Sequence, residues 1–317
     1  MANIITITFN PTIDKSTTVD SLAPEKKLRC SEPNFEPGGG GINVARAIKK
    51  LGGEALAIYP SGGHTGGFLD DLMKREGVPI EAIPIKNYTR ENLIVLETST
   101  NQQYRFGMPG PKLYEDEWKE CLRIIEQHTE ADYIVASGSL PSGVPTDIYA
   151  RIAAIAKKID ANLIVDTSGE ALQRAAKEGI YLLKPNLAEL SSLVGREEIH
   201  AECVDDVARE IIDRGECEVV IVSMGQGGAM LVTKKEALLI PSPVVRKRST
   251  VGAGDSMVAG IVLKLSQGWH IKEAAQYGVA SGTAATMNPG TELCRLNDVE
   301  KLYKVIRKTQ LKKVINQ

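Results

Sequence analysis

The sequence predicts an α/β protein in three layers, α/β/α, built on a mostly parallel sheet and carrying a small antiparallel β lid. Short β-branched runs alternate with amphipathic segments of helical period, the pattern of parallel strands joined by crossover helices. Polar or glycine-rich turns follow several of these strands, at the ends where open parallel sheets bind ligands. Two stretches break the alternation with strand patterns that no helix separates, and these predict the lid.

In chain order, residues 4–9 read as the first strand, ended by Asn10-Pro11 because proline has no N–H for a ladder. Segments 15–19 and 27–35 read as two strands in succession. Four glycines, Gly38 to Gly41, then open a helix over 42–51. A strand at 56–59 and a helix at 68–76 follow. Residues 92–97 and 103–108 pair through Thr98-Ser99-Thr100-Asn101. The rest alternates: helix 115–127, strand 133–137, helix 147–159, strand 163–166, helix 171–177, strand 181–184, helix 205–214 and strand 219–223. Helices at 255–266, 271–287 and 298–308 complete the chain. With no long linker, low-complexity segment or internal repeat, residues 1–317 read as one domain whose lid is formed by about 15–36 and 90–109. A four-stranded sheet leaves one face poorly covered, so the lid is expected to close over a site, to form a dimer contact, or both.

Composition narrows the function. Of 317 residues, 43% are hydrophobic and 25% charged, which suits a globular protein with a large core. The formal net charge of -2 provides no field for nucleic acid or a membrane surface, and neither is expected as a partner. Cys30, Cys121, Cys203, Cys217 and Cys294 are odd in number and widely spaced, which suits reduced thiols and a cytoplasmic location. His64, His128, His200 and His270 are scattered and make no zinc spacing. The first nine residues lack the basic start of a signal peptide, and no apolar run has the length of a membrane span.

The chemistry concentrates in a few turns. Thr250-Val251-Gly252-Ala253-Gly254-Asp255-Ser256 precedes an apolar helix. Its N–H groups make an anion site at the helix start, with the Asp255 carboxylate beside it. Alone, the motif reads first as a tight turn with a capping acid, and its company elsewhere in the chain favours the anion site. Glu36-Pro37-Gly38-Gly39-Gly40-Gly41-Ile42-Asn43 lets backbone approach a ligand, or forms a hinge. It is not a dinucleotide fingerprint, because the sixth position from Gly38 is Asn43. Asn10-Pro11-Thr12-Ile13-Asp14 puts an acid after the first strand, facing substrate or closing an Asx turn. Lys184-Pro185-Asn186-Leu187-Ala188-Glu189 reads as a helix capping box or as oxygen ligands for a hydrated Mg²⁺. Ser223-Met224-Gly225-Gln226-Gly227-Gly228 could cradle phosphates or turn a hairpin, and Ser137-Gly138-Ser139 ends another strand similarly. Arg246-Lys247-Arg248 is a solvated loop or a local aid to a polyphosphate. There is no P-loop and no protein-kinase motif set.

Together these motifs resemble the PfkB (ribokinase-like) carbohydrate kinases. The glycine-rich signature stands at Gly38 to Arg46, the C-terminal signature at Thr250 to Ser256 and the N-x-x-E at Asn186 to Glu189. The likeness runs end to end and implies a ribokinase-like fold. It further implies phosphorylation of D-fructose 6-phosphate at the C1 hydroxyl by ATP, with Mg²⁺ and K⁺ as cofactors and a homodimer formed through the lid. Relatives acting on fructose 1-phosphate or tagatose 6-phosphate usually carry Lys in the glycine run, where this chain has Gly40; those two activities are the alternatives. The resemblance makes Asp255 the general base and the N–H groups of Gly252, Ala253 and Gly254 the anion hole. It assigns Asp14, Gly39, Asn43, Arg90 and Ser139 to the sugar, with Lys27 reaching its phosphate, from the partner subunit through the lid. Lys184, Asn186, Ser223, Gly225 and Gly228 would line the nucleotide site, Glu189 would hold Mg²⁺ through water, and oxygens around Ser249, Val251, Ala285, Asn288 and Gly290 would hold K⁺. The chain departs from its relatives at Glu292, where they have Arg, and in the basic run at 246–248. Two other classes, a non-catalytic sugar-phosphate-binding regulator and a nicotinamide oxidoreductase, fit less well: the catalytic motifs are intact, and the glycine spacing is wrong for a dinucleotide.

Overall fold

A computed structural model describes residues 3–315. The chain begins with β1 (Asn3–Ile7), β2 (Thr12–Val19), β3 (Asn34–Gly38), α1 (Gly40–Lys50), β4 (Leu56–Ser61), α2 (Gly63–Arg75) and β5 (Ile80–Pro84). It continues through β6 (Arg90–Glu97), β7 (Gln102–Phe106), α3 (Glu115–Gln127), β8 (Ala131–Ser137), α4 (Ile148–Lys158), β9 (Asn162–Asp166), α5 (Gly169–Ala176) and β10 (Ile180–Leu183). The last part holds α6 (Leu187–Val194), α7 (Val204–Asp213), β11 (Cys217–Ser223), β12 (Ala229–Thr233), β13 (Ala237–Ile240), α8 (Ala253–Ser266), α9 (Ile271–Thr286) and α10 (Leu296–Ile315).

Nine strands form the main sheet in the order β13-β12-β11-β10-β9-β8-β1-β4-β5, parallel from β11 to β5 and antiparallel at β12 and β13. The period of two splits each central strand between two cores. Ile4, Val135, Ile164, Leu182 and Ile221 pack toward α1, α8 and α9, whereas Ile5, Ile134, Val165, Leu183 and Val220 pack toward α3, α4, α5 and α7. The strand order reverses around β1, between β4 and β8, so the crevice at the carboxyl ends opens there. α8 is buried nearly all round from Ser256 to Leu263, as befits a central helix. Gly260 lets it approach α9 closely, since a Cβ there would lie 2.9 Å from the Ser281 Cβ. Among the described residues, no helix is long and apolar enough to cross a membrane.

The lid is a second sheet, ordered β3-β2-β6-β7. Its outer pairs are antiparallel, while its central pair β2/β6 runs parallel. Both central strands leave the main domain at the same border, with α1, β4, α2 and β5 between them, and so point the same way. The strand expected at 27–35 lies instead at β3, within 34–38; Pro33 withholds a ladder N–H just before it. Pro37 is tolerated because β3 is an edge strand. The first strand stops at Ile7 rather than at Phe9, and β5, β12 and β13 were not expected.

Candidate active site

Asp255 is the third residue of α8, half-buried where the crevice floor meets the helix start. Gly252 caps the helix with φ 70°, a left-handed conformation that favours glycine. A side chain at 252 would also collide with Leu293. The first-turn N–H groups of α8 point out of the helix end beside the Asp255 carboxylate, with the Ala253 N–H making a long 3.4 Å bond to the Thr250 carbonyl. The Asn43 amide donates to Asp255 Oδ2 at 2.9 Å. Burial, then repulsion from Asp166, pushes the Asp255 carboxyl up to about 7 against the pull of Asn43 and Lys184.

The glycine run forms one wall. Gly39, at φ 113°, brings the chain from β3 into α1. A Cβ on Gly40 would overlap the Ser137 hydroxyl and come within 2.8 Å of the Gly138 nitrogen, so no side chain fits there. Asp14 lies on β2, with Oδ1 accepting from Asn92 Nδ2 at 3.0 Å. Its carboxyl is raised, chiefly by burial. Arg90 opens β6 and donates to the Asn10 and Met108 carbonyls, both at 3.0 Å. Ser139 accepts from Asn10 Nδ2 at 3.0 Å. Lys27 stands apart from this group, exposed on the connection between β2 and β3.

On the other side of Asp255, Lys184 is 6% exposed and pairs with Asp166 at 3.1 Å. Asn186 and Glu189 form a reciprocal capping box at 2.9 Å each way, so the local reading of that motif holds. Glu189 nevertheless lines a cleft with Asp166, Asp255, Gly138 and Ser139. Its carboxyl is raised by burial and by Asp166. Beyond it opens a cavity of about 520 Å³ lined by Ser223, Gly225, Gly228, Lys247, Val279 and Gly282 among others, reaching Gly254. All three residues of the basic run are exposed, and of them Lys247 borders this cavity. Ser249 and Val251 lie beside the end of α9, joined to it by Arg248 and Ser249 N–H bonds to the Thr286 carbonyl at 2.8 and 3.3 Å. Ala285, Asn288 and Gly290 occupy that end and the turn after it. Glu292 is engaged by Arg295 Nη2 at 2.5 Å.

Three site features had no expectation attached. Asp166 appeared only as a strand end, although an acid at the carboxyl end of a parallel strand is a usable signal. Asn92, which orients Asp14, read only as a strand residue. Arg46, 1% exposed, donates to Glu76, to the Pro37 carbonyl and to Asn43 Oδ1 beneath the glycine wall.

A helix-start anion hole and an acid, set between a glycine cradle and a nucleotide-sized cavity, define a phosphotransferase site. The chain belongs to the pfkB family of carbohydrate kinases, whose model matches residues 5–298. It is 45% identical over 304 residues to the ATP-dependent 6-phosphofructokinase isozyme 2 of Escherichia coli, covering 96% of this chain and 98% of that one. A 1-phosphofructokinase of Bacillus subtilis is 32% identical over 308 residues, covering 97% and 100%. Among solved structures, Escherichia coli phosphofructokinase-2 with potassium matches with a TM-score of 0.93 at 44% identity, covering 97% of this chain and 100% of that one. The same enzyme with fructose-6-phosphate matches at 0.91 and 43% identity, with the same coverage.

Proposed function

We propose that this enzyme transfers the γ-phosphoryl group of ATP to the C1 hydroxyl of fructose 6-phosphate. The observation that carries the reading is Asp255, held by Asn43 of the cradle on one side and flanked by the anion hole and nucleotide cavity on the other. Asp14, Asn43 and Ser139 bind the sugar hydroxyls and Arg90 the sugar phosphate; Gly39 lets backbone come close. Asp255 takes the C1 hydroxyl proton as the oxygen attacks the γ-phosphorus, and ADP leaves with the bridging oxygen. The N–H groups of Gly252, Ala253 and Gly254 meet the charge on the migrating phosphoryl group, where preorganised donors act most strongly. Lys184, Asn186, Ser223, Gly225 and Gly228 hold the nucleotide.

Asp166, Glu189 and Asp255 share one cleft, with Lys184 paired to Asp166, and burial and then Asp166 raise the carboxyls of the other two. That surplus of negative charge suits Mg²⁺, held by Glu189 through water. Bound there, Mg²⁺ would neutralise phosphate charge. The oxygens of Ser249, Val251, Ala285, Asn288 and Gly290, on the turns near the end of α9, would hold K⁺, which there would stabilise that loop. The exposed Phe106 and Met108 of the lid favour a homodimer through that sheet, with Lys27 serving the partner's site. Cys30 and Cys203 are free and exposed, as suits the reducing cytoplasm. Kinetics with Mg-ATP and fructose 6-phosphate, fructose 1-phosphate and tagatose 6-phosphate test the assignment; a higher kcat/KM for either of the last two transfers it to that sugar.

A further inference from the structure

A closed ring of buried contacts joins the sugar side of the site to the phosphoryl side. Thr291, 1% exposed, donates through Oγ1 to Glu36 Oε2 at 2.6 Å, with its N–H at 3.4 Å from the same oxygen. Glu36 Oε1 stands 3.6 Å from Arg46 Nη2. Arg46 Nη1 donates to the Pro37 carbonyl at 2.7 Å and to Asn43 Oδ1 at 3.4 Å, and Asn43 donates to Asp255. The ring closes through the segment that carries Thr291. Leu293, two residues on, fills the space a side chain on Gly252 would need. Leu293 is fully buried with φ 64°, a costly conformation for a bulky residue, and Asn288 Nδ2 holds its carbonyl at 2.8 Å. Backbone strain kept in place by buried hydrogen bonds at a site points to a positioning role.

We propose that Thr291 and Glu36 are positioning residues for the transfer: through Arg46 they hold Asn43 against Asp255, and through residues 288–293 they tie that hold to the anion hole at Gly252. This rests on Asp255 being the base. The charge pattern supports it. Arg46 carries one positive charge between two carboxylates, with Glu76 occupying its Nε and Nη2 edge. Glu36 therefore has an oxygen to spare, and Thr291 fills it. Without that hydroxyl, a buried carboxylate oxygen keeps only the long 3.4 Å bond from the Thr291 N–H and draws the guanidinium away from Asn43. The groups facing Asp255 are Asp14 of β2, Asn43 of α1, Asp166 of β9 and Lys184 just after β10, with Glu189 of α6 in the same cleft. Of these only Asn43 belongs to the ring, so a loosened ring weakens the one hydrogen bond that favours ionised Asp255.

Thr291→Val keeps the shape and removes the donor; Thr291→Ser keeps the donor. The expectation for Thr291→Val is a kcat lower by about tenfold, KM for both substrates within about twofold, and an acidic limb of kcat moved about half a unit upward. Thr291→Ser restores both kcat and the limb. Wild-type kcat and limb in Thr291→Val, or a loss that Thr291→Ser does not restore, overturns the proposal. Should Thr291→Val fail to fold, Glu36→Gln decides, with the same fall in kcat supporting the ring and wild-type kcat refuting it. Asp255→Asn measured alongside separates the claims: if it keeps turnover, the base assignment fails. If it is inactive beside an unaltered Thr291→Val, the ring alone fails.

Discussion

Asn43 and Asp255, 212 residues apart in sequence, meet at 2.9 Å across the crevice. One belongs to the glycine-rich wall and the other to the start of α8, so their hydrogen bond joins the two walls of the crevice. The bond draws the Asp255 carboxyl down against the upward push of burial and of Asp166.

Asp255 sits with its carboxyl pushed up to about 7 by burial and by Asp166. Only the ionised form accepts the hydroxyl proton, so activity is present above that value and lost as the pH falls through it. The expected kcat/KM profile has an acidic limb near pH 7, falling about tenfold per unit below it. Asp166→Asn removes a raising charge and moves the limb to lower pH. A flat profile across this range contradicts the placement of Asp255.

Gly40 touches Ser137 and Gly138 so closely that no Cβ fits. Gly40→Ala is expected to lower stability by about 1–3 kcal/mol, the usual cost of overpacking, and to raise the KM for the sugar phosphate. Chemical denaturation and steady-state kinetics check both parts. An unperturbed variant would mean that the two loops separate easily.

Arg46 is buried among Glu36, Glu76, the Pro37 carbonyl and Asn43. Arg46→Ala leaves its carboxylates unpaired, and a loss of about 3–5 kcal/mol is expected in urea unfolding. A change below about 1 kcal/mol would show that these acids find water or other donors.

Lys27 lies exposed on the lid, away from the base of its own chain. If it serves the partner's site, Lys27→Ala and Asp255→Asn proteins, each impaired alone, regain activity when mixed and allowed to exchange subunits. The heterodimer holds one site with an intact base and a partner lysine. Mixtures no more active than their components contradict service across the dimer.

The strand–helix alternation was legible because its periods of two and 3.6 are local properties of the chain. So were the turns around Gly39, Gly252 and Gly225, since glycine after a strand marks backbone that must bend or approach a ligand. The parallel pairing of β2 with β6 was not legible, because it depends on where both strands leave the main sheet. Asp166 stayed hidden for a similar reason: its meaning comes from Lys184, which a separate strand brings to 3.1 Å. Asn186 and Glu189 show the converse, a local motif that forms its capping box and still borders the cleft. Arg46 carried no expectation beyond ending the glycine-rich signature, yet it is among the most buried side chains, because its partners Glu36 and Glu76 come from separate segments.

The central claim is that Asp255 takes the proton from the attacking hydroxyl. Single-turnover transfer from Mg-ATP to fructose 6-phosphate by Asp255→Asn tests it, with sugar binding measured on the same protein. The expected rate is lower by about 10²–10⁴-fold with sugar affinity largely kept. A rate near that of the unaltered enzyme would contradict it.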